Sequence, residues 1–352
     1  MPDAAVTVQA GARLLEGGPI ADEIRSRVAE DVATFTREIG HPPGLAVVVC
    51  GRSAPSMVYL DRILKACASV GIEGQLVDVP GDDPASQARE LAAAVRALSA
   101  DDQVAGIIVQ MPLPAGIGIR TVIDAIDPAK DIDGIHPLNA GLLRLGFEGF
   151  VPATAHAALE VLERSGAPIV GAEAVVIGRS PVVGMPVAFM LAKTGATVTV
   201  CHSRTRDLAA HTRLADIVVV AAGHPGLVTG DMLKPGAVVI DVGINVVDGH
   251  LVGDVDFASA REVASAITPV PGGVGPLTNA LLLAHLVRAA QKQAAARLTI
   301  DSQPSARAAA KAARLSSDPQ PSARAAAKAA RLSSDPQPSA GAAAKAAPRA
   351  DA

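Results

Sequence analysis

Residues 171–205 carry the pattern that most narrows the possible folds: a short apolar run, a glycine-bounded turn, a helical segment and a second apolar run. Residues 174–177 form an unbroken apolar run, as expected of a strand buried on both faces of a parallel sheet. Gly178 ends that strand, Gly184 opens the helix, and residues 198–201 form the next strand. The pattern predicts a βαβ unit whose first turn can bring backbone N–H groups to a dinucleotide pyrophosphate.

Two features of this unit bear on which nucleotide it would hold. The turn glycines are spaced differently from the standard G-x-G-x-x-G fingerprint, so on their own they are weak evidence. Residues 202–206 read HSRTR and offer no carboxylate to a ribose hydroxyl, which NAD sites usually provide. Arg179, Ser203 and Arg204 can instead satisfy a ribose phosphate, which favours NADP. The alternative is that these polar side chains only cap the next helix and solvate a loop.

Length and composition set broad limits. With 352 residues, of which 49% are hydrophobic, the chain can build two core-forming domains. It has no apolar run long enough to span a bilayer and no secretory signal, so we expect a cytoplasmic protein without membrane association. Cys50, Cys67 and Cys201 show no metal-ligand spacing and lie in or beside apolar stretches. They predict buried thiols and no metal site.

Residues 19–126 alternate helical and strand patterns, which is typical of an α/β domain with a parallel sheet. The predicted helices are 19–39, 56–70, 84–98 and 119–126, and the predicted strands are 45–50, 75–79 and 105–110. In such a sheet, ligands bind beyond the carboxyl ends of the strands. Gln110 sits at such an end and the helix of Tyr59 starts after another, so these two and Asp133 can meet in one cleft. Alternatively, Asp131 and Asp133 are ordinary turn residues beside a glycine.

The second half continues this alternation and contains a rigid loop. Further buried strands are predicted at 215–222 and 237–242. Residues 268–276, TPVPGGVGP, can expose backbone donors and acceptors to a flat ligand. The fold class is therefore α/β with two domains: a first domain and a Rossmann-like nucleotide-binding domain. We place them at 1–150, closed by a helix at 278–295, and at 151–277.

Residues 299–352 form a low-complexity tail. The unit PSARAAAKAARLSSDPQ starts at Pro304, recurs at Pro321 and decays from Pro338, a period of 17 residues. Asp-Pro-Gln-Pro interrupts each unit, and isolated helices that short are marginal in water, so the tail is predicted to be disordered. Its eight Lys and Arg against four Asp leave open a basic tether that binds nucleic acid weakly. The lack of aromatic residues argues against base-specific binding.

Seven motifs follow one another in order between residues 59 and 278. They are YLDRILKAC (59–67), GIIVQMPLP (106–114), KDIDGIHPLNAG (130–141), VIGRSPVVGMP (176–186), CHSRT (201–205), IDVGIN (240–245) and TPVPGGVGPLT (268–278). Together they closely resemble the bifunctional methylenetetrahydrofolate dehydrogenase/methenyltetrahydrofolate cyclohydrolase family. The resemblance covers roughly residues 13–295, which is all but the ends of the chain.

The resemblance implies a catalytic domain and an NADP domain meeting at a cleft in a homodimer. The reactions it implies are NADP-dependent oxidation of 5,10-methylenetetrahydrofolate to the methenyl form, then hydrolysis to 10-formyltetrahydrofolate. In the family pattern, the tyrosine stacks on the folate, the glutamine assists at the reacting carbon and the aspartate holds the pterin; here these are Tyr59, Gln110 and Asp133. The implied folate-pocket residues are Ser56, Pro271, Gly272 and Gly273. The implied NADP contacts are Gly178, Arg179, Ser180, Ser203 and Ile244.

One position departs from the family motif. There a lysine, tied to water activation and proton handling in the hydrolytic step, lies four residues after the tyrosine; here that residue is Ile63. Arg62 and Lys65 lie about 100° and 200° around the helix from this position, and a guanidinium is a poor proton acceptor. Loss of a proton-transfer group typically costs roughly 10²–10⁴-fold in rate. We therefore expect hydrolysis to be weakened or lost.

Two smaller departures leave the fold intact. The family pattern P-C-T-P-x-G reads PATAHA from Pro152, and the basic residue usual after the second turn glycine is Met185. Two other hypotheses stay open: a fully bifunctional enzyme in which another group replaces the lysine, and a catalytically silent paralogue that binds folate or NADP. The retained tyrosine, glutamine and aspartate argue against the silent protein.

Overall fold

The structure is a computed structural model, and it describes residues 11–51, 54–80 and 83–302. The chain separates into two compact units, residues 1–295 and residues 296–352. The fold below is that of the first unit. The tail predicted to be disordered was placed at 299–352, but residues 299–302 continue the last helix (Val274–Ser302), and residues from 303 onward lie outside the described residues.

The first half alternates helices and strands as the sequence predicts. Its elements are β1 (Arg13–Leu14), α1 (Gly17–Ile39), β2 (Gly44–Cys50), α2 (Ala54–Ser69), β3 (Glu73–Val79), α3 (Pro84–Ala100), β4 (Val104–Val109), α4 (Arg120–Ile123) and α5 (Pro137–Leu145). Strands β3, β2 and β4 pair in that order as a parallel sheet. Every residue of the central strand β2 is buried, because helices cover both faces of the sheet.

The second half forms a larger sheet. Its elements are α6 (Ala153–Arg164), β5 (Glu173–Ile177), α7 (Gly184–Lys193), β6 (Thr197–Cys201), α8 (Leu208–Thr212), β7 (Ile217–Val220), a 3₁₀ turn (Gly230–Met232), β8 (Val238–Asp241), β9 (Asn245–Val247), β10 (His250–Val252), α9 (Phe257–Arg261), β11 (Ala266–Ile267) and α10 (Val274–Ser302). The strand order is β1-β11-β8-β7-β5-β6, and every pair is parallel. Strands β6 and β7, which follow β5 in the chain, lie on opposite sides of it. The ligand crevice of a doubly wound sheet lies at such a point, beyond the carboxyl end of β5.

The pairing of β1 differs from the domain prediction. The sequence placed residues 1–150 in the first domain, but Arg13 and Leu14 pair with Ala266 and Ile267 of the second sheet. Such a two-residue strand has no periodicity of its own, so nothing in the sequence marks it. The described part of the chain therefore begins on the larger sheet and then crosses to the smaller one.

A single hydrophobic cluster links the two sheets. It includes Val47 of β2 and Val176 of β5, together with Leu277 and Leu286 of α10. Since buried apolar contacts are the main favourable contribution to folding, the two sheets share one core across α10. The position of the cleft between them is thereby fixed.

The three cysteines have the environment that the sequence predicts. Cys50, Cys67 and Cys201 are buried free thiols, as predicted. In the part of the chain that the structure describes, no helix is long and apolar enough to cross a bilayer. The same residues contain no cluster of three side chains that could hold a metal ion.

Candidate functional site

A first cavity, of about 530 Å³, opens at the carboxyl ends of β5, β6 and β7. Four predicted cofactor contacts line it, Gly178, Arg179, Ser180 and Ser203. Two histidines that the sequence analysis did not single out, His202 and His224, also line it, whereas Arg204 does not. None of the described residues that line it carries a carboxylate, so the cavity suits an anionic ligand.

The turn after β5 has a conformation that requires glycine. Gly178 has φ +118°, and a Cβ built there would lie 2.1 Å from the carbonyl oxygen of Ala221 on the neighbouring strand. The Ser180 hydroxyl accepts hydrogen bonds from the N–H groups of Val183 (3.0 Å) and Gly184 (3.3 Å). These two amides at the start of α7 are therefore already bonded. The Ser180 O–H remains available as a donor.

The end of β6 is held in a tight turn. The Thr205 hydroxyl accepts from the His202 N–H at 2.9 Å, and Nδ1 of His202 accepts from the Arg204 N–H at 3.1 Å. These bonds fix the backbone of residues 202–205, so Ser203 lies against the cavity. The next helix, α8, is capped by Asp207, whose side chain accepts from the Ala210 N–H at 3.1 Å, so the bonds of His202 and Thr205 shape the turn and do not cap the helix.

A second cavity, of about 460 Å³, lies between the two sheets. One of its walls is the Pro/Gly loop with Pro271, Gly272 and Gly273. The family resemblance implies that these three residues line the folate pocket. Ile244, predicted as a cofactor contact, is also on this wall rather than in the first cavity. Thr154, Asp241 and Asn279 also line this cavity, although no motif in the sequence marked them as site residues.

Two buried aspartates connect the walls of the two cavities. Asp254 accepts from the N–H groups of Ala222 (2.6 Å) and Gly223 (2.8 Å) at the end of β7, and from the Asn245 amide (2.8 Å). Asp241 accepts from Gly243, Asp254 and Val255 backbone N–H groups at 2.9–3.0 Å. Burial raises the pKa of Asp241 to about 6, and the backbone hydrogen bonds oppose that rise. The carboxylates hold these loops in place.

The carboxyl groups of Asp131 and Asp133 accept hydrogen bonds from different segments of the chain. Asp131 accepts from the N–H groups of Ile135 (3.2 Å) and His136 (2.7 Å) and from Asn139 (2.9 Å), so it is the turn residue. The Asp133 carboxyl instead accepts from the N–H of Ala153, the first residue of α6. Burial, with a further contribution from the Asp131 charge, raises the pKa of Asp133 to about 6.

Gln110 and Asp133 follow neighbouring backbone segments. Ile107 of β4 bridges Asp131 in parallel, and Gln110 and Asp133 come shortly after these two residues. The Gln110 side-chain amide donates to the Met111 carbonyl at 2.6 Å. Tyr59 and Ser56 lie in α2, which begins after the carboxyl end of β2. The predicted catalytic residues thus belong to segments that follow the carboxyl ends of strands in the smaller sheet.

Ile63 lies in the core. Its side chain is 1% exposed and continues the buried stripe of Leu60 and Cys67 along α2. Arg62, which the sequence analysis set aside, lines the second cavity. A side chain able to accept a proton is therefore absent from position 63, and the neighbouring position presents a cation.

The fold and the two cavities define a two-domain α/β protein of the dinucleotide-binding class. Family profiles for the tetrahydrofolate dehydrogenase/cyclohydrolase catalytic domain and for its NAD(P)-binding domain match residues 15–133 and 152–294. The chain belongs to the tetrahydrofolate dehydrogenase/cyclohydrolase family. The predicted fold class and family are both confirmed.

Individual relatives agree with this assignment. The bifunctional protein FolD of Bordetella avium is 51% identical over 282 residues, which cover 80% of this chain and 98% of that protein. A crystal structure of the bifunctional enzyme FolD from Campylobacter jejuni is 40% identical with a TM-score of 0.77, over 80% of this chain and 99% of that one. The methylenetetrahydrofolate dehydrogenase-cyclohydrolase of Trypanosoma brucei, complexed with NADP and an inhibitor, is 39% identical with a TM-score of 0.76, over 81% and 99%.

Proposed function

We propose that this protein oxidises 5,10-methylenetetrahydrofolate to 5,10-methenyltetrahydrofolate with NADP, and that its hydrolysis of the product to 10-formyltetrahydrofolate is weakened or lost. The observation that carries the proposal is the pairing of a carboxylate-free first cavity with a second cavity walled by the Pro/Gly loop. The buried apolar side chain of Ile63 supports the proposed weakening or loss of hydrolysis.

The residues of the first cavity fit NADP. Arg179 and Ser203 would hold the ribose phosphate, and the Ser180 O–H would donate to the pyrophosphate. Bound NADP supplies the hydride acceptor, and hydride transfer depends on placing two flat rings in contact. Ile244, on the wall of the second cavity, would contact the nicotinamide end.

The folate would be held from the smaller sheet. Tyr59 would stack on it, Gln110 would lie at the reacting carbon and Asp133 would hold the pterin. Ser56, Pro271, Gly272 and Gly273 would complete the pocket. No proton transfer is needed for the hydride step itself, so the dehydrogenase does not depend on position 63.

Hydrolysis has a different requirement. Water attacking the methenyl carbon must lose a proton, and a positioned base contributes about 10²–10⁴-fold in rate. Ile63 cannot accept that proton. We therefore propose that the chain hydrolyses methenyltetrahydrofolate at least about 10²-fold more slowly than it would with a lysine there.

One observation favours a second candidate, the fully bifunctional enzyme. The raised pKa of Asp133, about 6, leaves its carboxylate a stronger base than an ordinary aspartate and mostly ionised at neutral pH. Asp133 could then accept the proton that lysine handles in the family pattern.

The test is a pair of steady-state assays on the purified full-length chain, with NADP and with NAD. We expect methylenetetrahydrofolate to reduce NADP with a kcat/KM at least about tenfold above that for NAD, since a charge-assisted phosphate contact is worth about 1.4 kcal/mol or more. Binding of both ligands in a calorimeter without any turnover would instead identify a silent paralogue. Hydrolysis of methenyltetrahydrofolate well above the uncatalysed rate would favour the bifunctional enzyme.

A further inference from the structure

Two histidines that the proposed reaction does not use are hydrogen-bonded to each other and to the segment that carries Asp133. His285, on α10, is 3% exposed, and its Nδ1 atom lies 3.0 Å from the carbonyl oxygen of Ile132. A carbonyl oxygen only accepts, so this nitrogen carries the proton and donates. The other nitrogen, Nε2, accepts from Nδ1 of His156 on α6, at 3.0 Å. Both ring nitrogens of His285 thus have a specific partner.

The Ile132 carbonyl belongs to the peptide group that joins Ile132 to Asp133, and this group is planar. The Ile132 side chain is fully buried between β4 and α10. A Cβ added at Gly106 of β4 would lie 2.8 Å from it and 2.6 Å from the Leu286 side chain on α10. Asp133, in contrast, is half-buried. The core therefore fixes the chain as far as Ile132, and the bond from His285 fixes the peptide plane from which Asp133 projects.

A second contact fixes the Asp133 carboxyl itself. It accepts a hydrogen bond from the N–H of Ala153, the first residue of α6. The first N–H groups of a helix have no partner within the helix, and its N-terminus favours a negative charge. His156 lies nearly one turn further along the same helix. The contacts therefore close a ring, because α6 binds the carboxyl, His156 binds His285, and His285 binds the main chain just before Asp133.

We infer that His285 and His156 are positioning residues that hold Asp133 in the orientation in which it binds the folate. Neither histidine is among the described residues that line the two cavities, so both act through Asp133 and not on the ligand. A side chain that recognises a ligand must be held within about 0.5 Å of its productive position by supporting contacts. The inference rests on the proposed folate substrate, and adds the residues that support its binding site.

His285→Leu, which removes both hydrogen bonds and keeps a side chain of similar size, tests this role in the full-length chain. We expect the KM for methylenetetrahydrofolate to rise at least about tenfold, because Asp133 is no longer held in place. Since Asp133 binds a part of the substrate that does not react, kcat should change less than KM, and the KM for NADP should stay unchanged.

Two further variants grade the effect. His285→Asn should keep the folate KM within about threefold of wild type, because its amide nitrogen still donates to the Ile132 carbonyl oxygen. His156→Leu breaks only the link to α6 and should raise the same KM about threefold. Because His156 is half-buried, this variant gives the test even if His285→Leu does not fold.

Thr212→Val is the matched control. The buried Thr212 hydroxyl donates to the Met232 carbonyl oxygen at 2.6 Å, so this change also removes a buried bond from a side chain to a carbonyl, but in a segment that does not contact Asp133. It should lower the urea midpoint of unfolding and leave both KM values unchanged. A rise in the folate KM for this variant as large as that for His285→Leu would overturn the positioning role.

A double-mutant cycle with Asp133→Asn distinguishes positioning from a general structural effect. Calorimetry gives the dissociation constant of tetrahydrofolate without requiring turnover. If His285 acts through Asp133, His285→Leu should weaken binding by less than about twofold in the Asp133→Asn background. Equal weakening in both backgrounds, or none in any histidine variant, would overturn the inference. A wild type that does not turn over methylenetetrahydrofolate would overturn the proposed function, whereas normal turnover with unchanged histidine variants removes only the positioning role.

Discussion

The backbone at Gly178 determines which residue the nucleotide turn can hold. Its φ of +118° disfavours any side chain, and a Cβ would overlap the Ala221 carbonyl oxygen at 2.1 Å. That carbonyl belongs to the strand segment beside β5, so it cannot move without disturbing the sheet. The glycine is therefore required by close approach of two backbones as well as by conformation.

Gly178→Ala should lower the free energy of unfolding by about 3 kcal/mol or more, because strain and overlap add. Urea unfolding measures this loss. The displaced turn should also weaken NADP binding at least about tenfold in a calorimeter, since 1.4 kcal/mol corresponds to that factor.

Gly236→Ala is the control for that change. Gly236 also has a positive φ, +84°, but a Cβ there meets nothing within 4 Å. Gly236→Ala should lower the free energy of unfolding by only about 1 kcal/mol, the ordinary cost of a left-handed residue. It should leave NADP binding unchanged. Equal losses for the two alanine variants would show that the contact with Ala221 is unimportant.

At the scale of elements, Asp254 ties the β9–β10 hairpin region to the end of β7. It is fully buried, and its two oxygens accept from Ala222, Gly223 and Asn245. Gly243 must lack a side chain, because a Cβ would lie 2.3 Å from the Asp254 carboxyl carbon. The loop that carries Ile244 is thus built around this carboxylate.

Asp254→Ala should lower the free energy of unfolding by about 2–5 kcal/mol, because two backbone N–H groups lose their acceptor in a buried place. Asp256→Ala, which removes an exposed cap of α9, is the comparison and should cost about 1 kcal/mol. Both are measured by urea unfolding at one pH. A loss for Asp254→Ala no larger than that for Asp256→Ala would contradict the role of this carboxylate.

Long, strongly periodic elements could be predicted from the sequence, and short ones could not. Helix α1 was expected at 19–39 and runs from Gly17 to Ile39, because its apolar residues recur at helical spacing. Helix α10 begins at Val274, four residues before the predicted 278, because Pro276 is tolerated in a first turn although it was taken as loop. Helix α5, the β9–β10 hairpin and β11 were not predicted, since each is too short to show a period.

The candidate site divides in the same way. Gly178, Arg179, Ser180 and Ser203 were placed together by their motif and line one cavity. Arg62 was rejected as a replacement for the lysine and Asn279 was not found, because what the two share is a cavity wall, and residues 62 and 279 are far apart in sequence. Only the fold brings α2 and α10 to one cavity.

At the scale of the whole molecule, a buried histidine, His285, and a half-buried one, His156, connect the helices that join the sheets. Nδ1 of His285 on α10 lies 3.0 Å from the Ile132 carbonyl oxygen, which can only accept, so this nitrogen carries the proton. Its Nε2 then accepts from Nδ1 of His156 on α6 at 3.0 Å. Burial, together with the nearby His156 and Arg288, lowers the pKa of His285 to about 3.

This pair predicts acid sensitivity. The unfolded chain binds a proton at His285 below about pH 6.5, whereas the folded chain does so only near pH 3, so stability falls as pH drops between these values. Asparagine does not titrate, and its amide nitrogen can keep the hydrogen bond to the Ile132 carbonyl oxygen. Between pH 7.5 and 5.5, wild type should lose about 1.4 kcal/mol more unfolding free energy than His285→Asn.

Urea titrations of both proteins at the two pH values give this difference. Titrating groups away from this histidine pair, including Asp133 and Asp241, are common to both proteins and largely cancel. Parallel losses in wild type and His285→Asn would show that His285 does not remain neutral in the folded state.

The repeat tail lies beyond the matched family domains, which end at residue 294. We expect a chain ending at residue 302 to keep the dehydrogenase kcat/KM of the full chain. Neither protein should bind DNA measurably at physiological salt, as gel-shift titration would check. Salt-sensitive binding by the full chain alone would support the basic tether instead.

The predicted homodimer stays a prediction, which sedimentation of the same two proteins would test.

The most direct measurement of the central claim uses wild type, Ile63→Lys and the apolar control Ile63→Met in two assays. One follows NADPH formation from methylenetetrahydrofolate, and the other follows loss of methenyltetrahydrofolate. We predict that all three reduce NADP and that only Ile63→Lys gains hydrolysis, by about 10²-fold or more. Retained NADP reduction shows that the lysine variant is folded despite its position in the core. Rapid hydrolysis by wild type would contradict the claim and assign the proton to another residue, of which Asp133 is the first candidate.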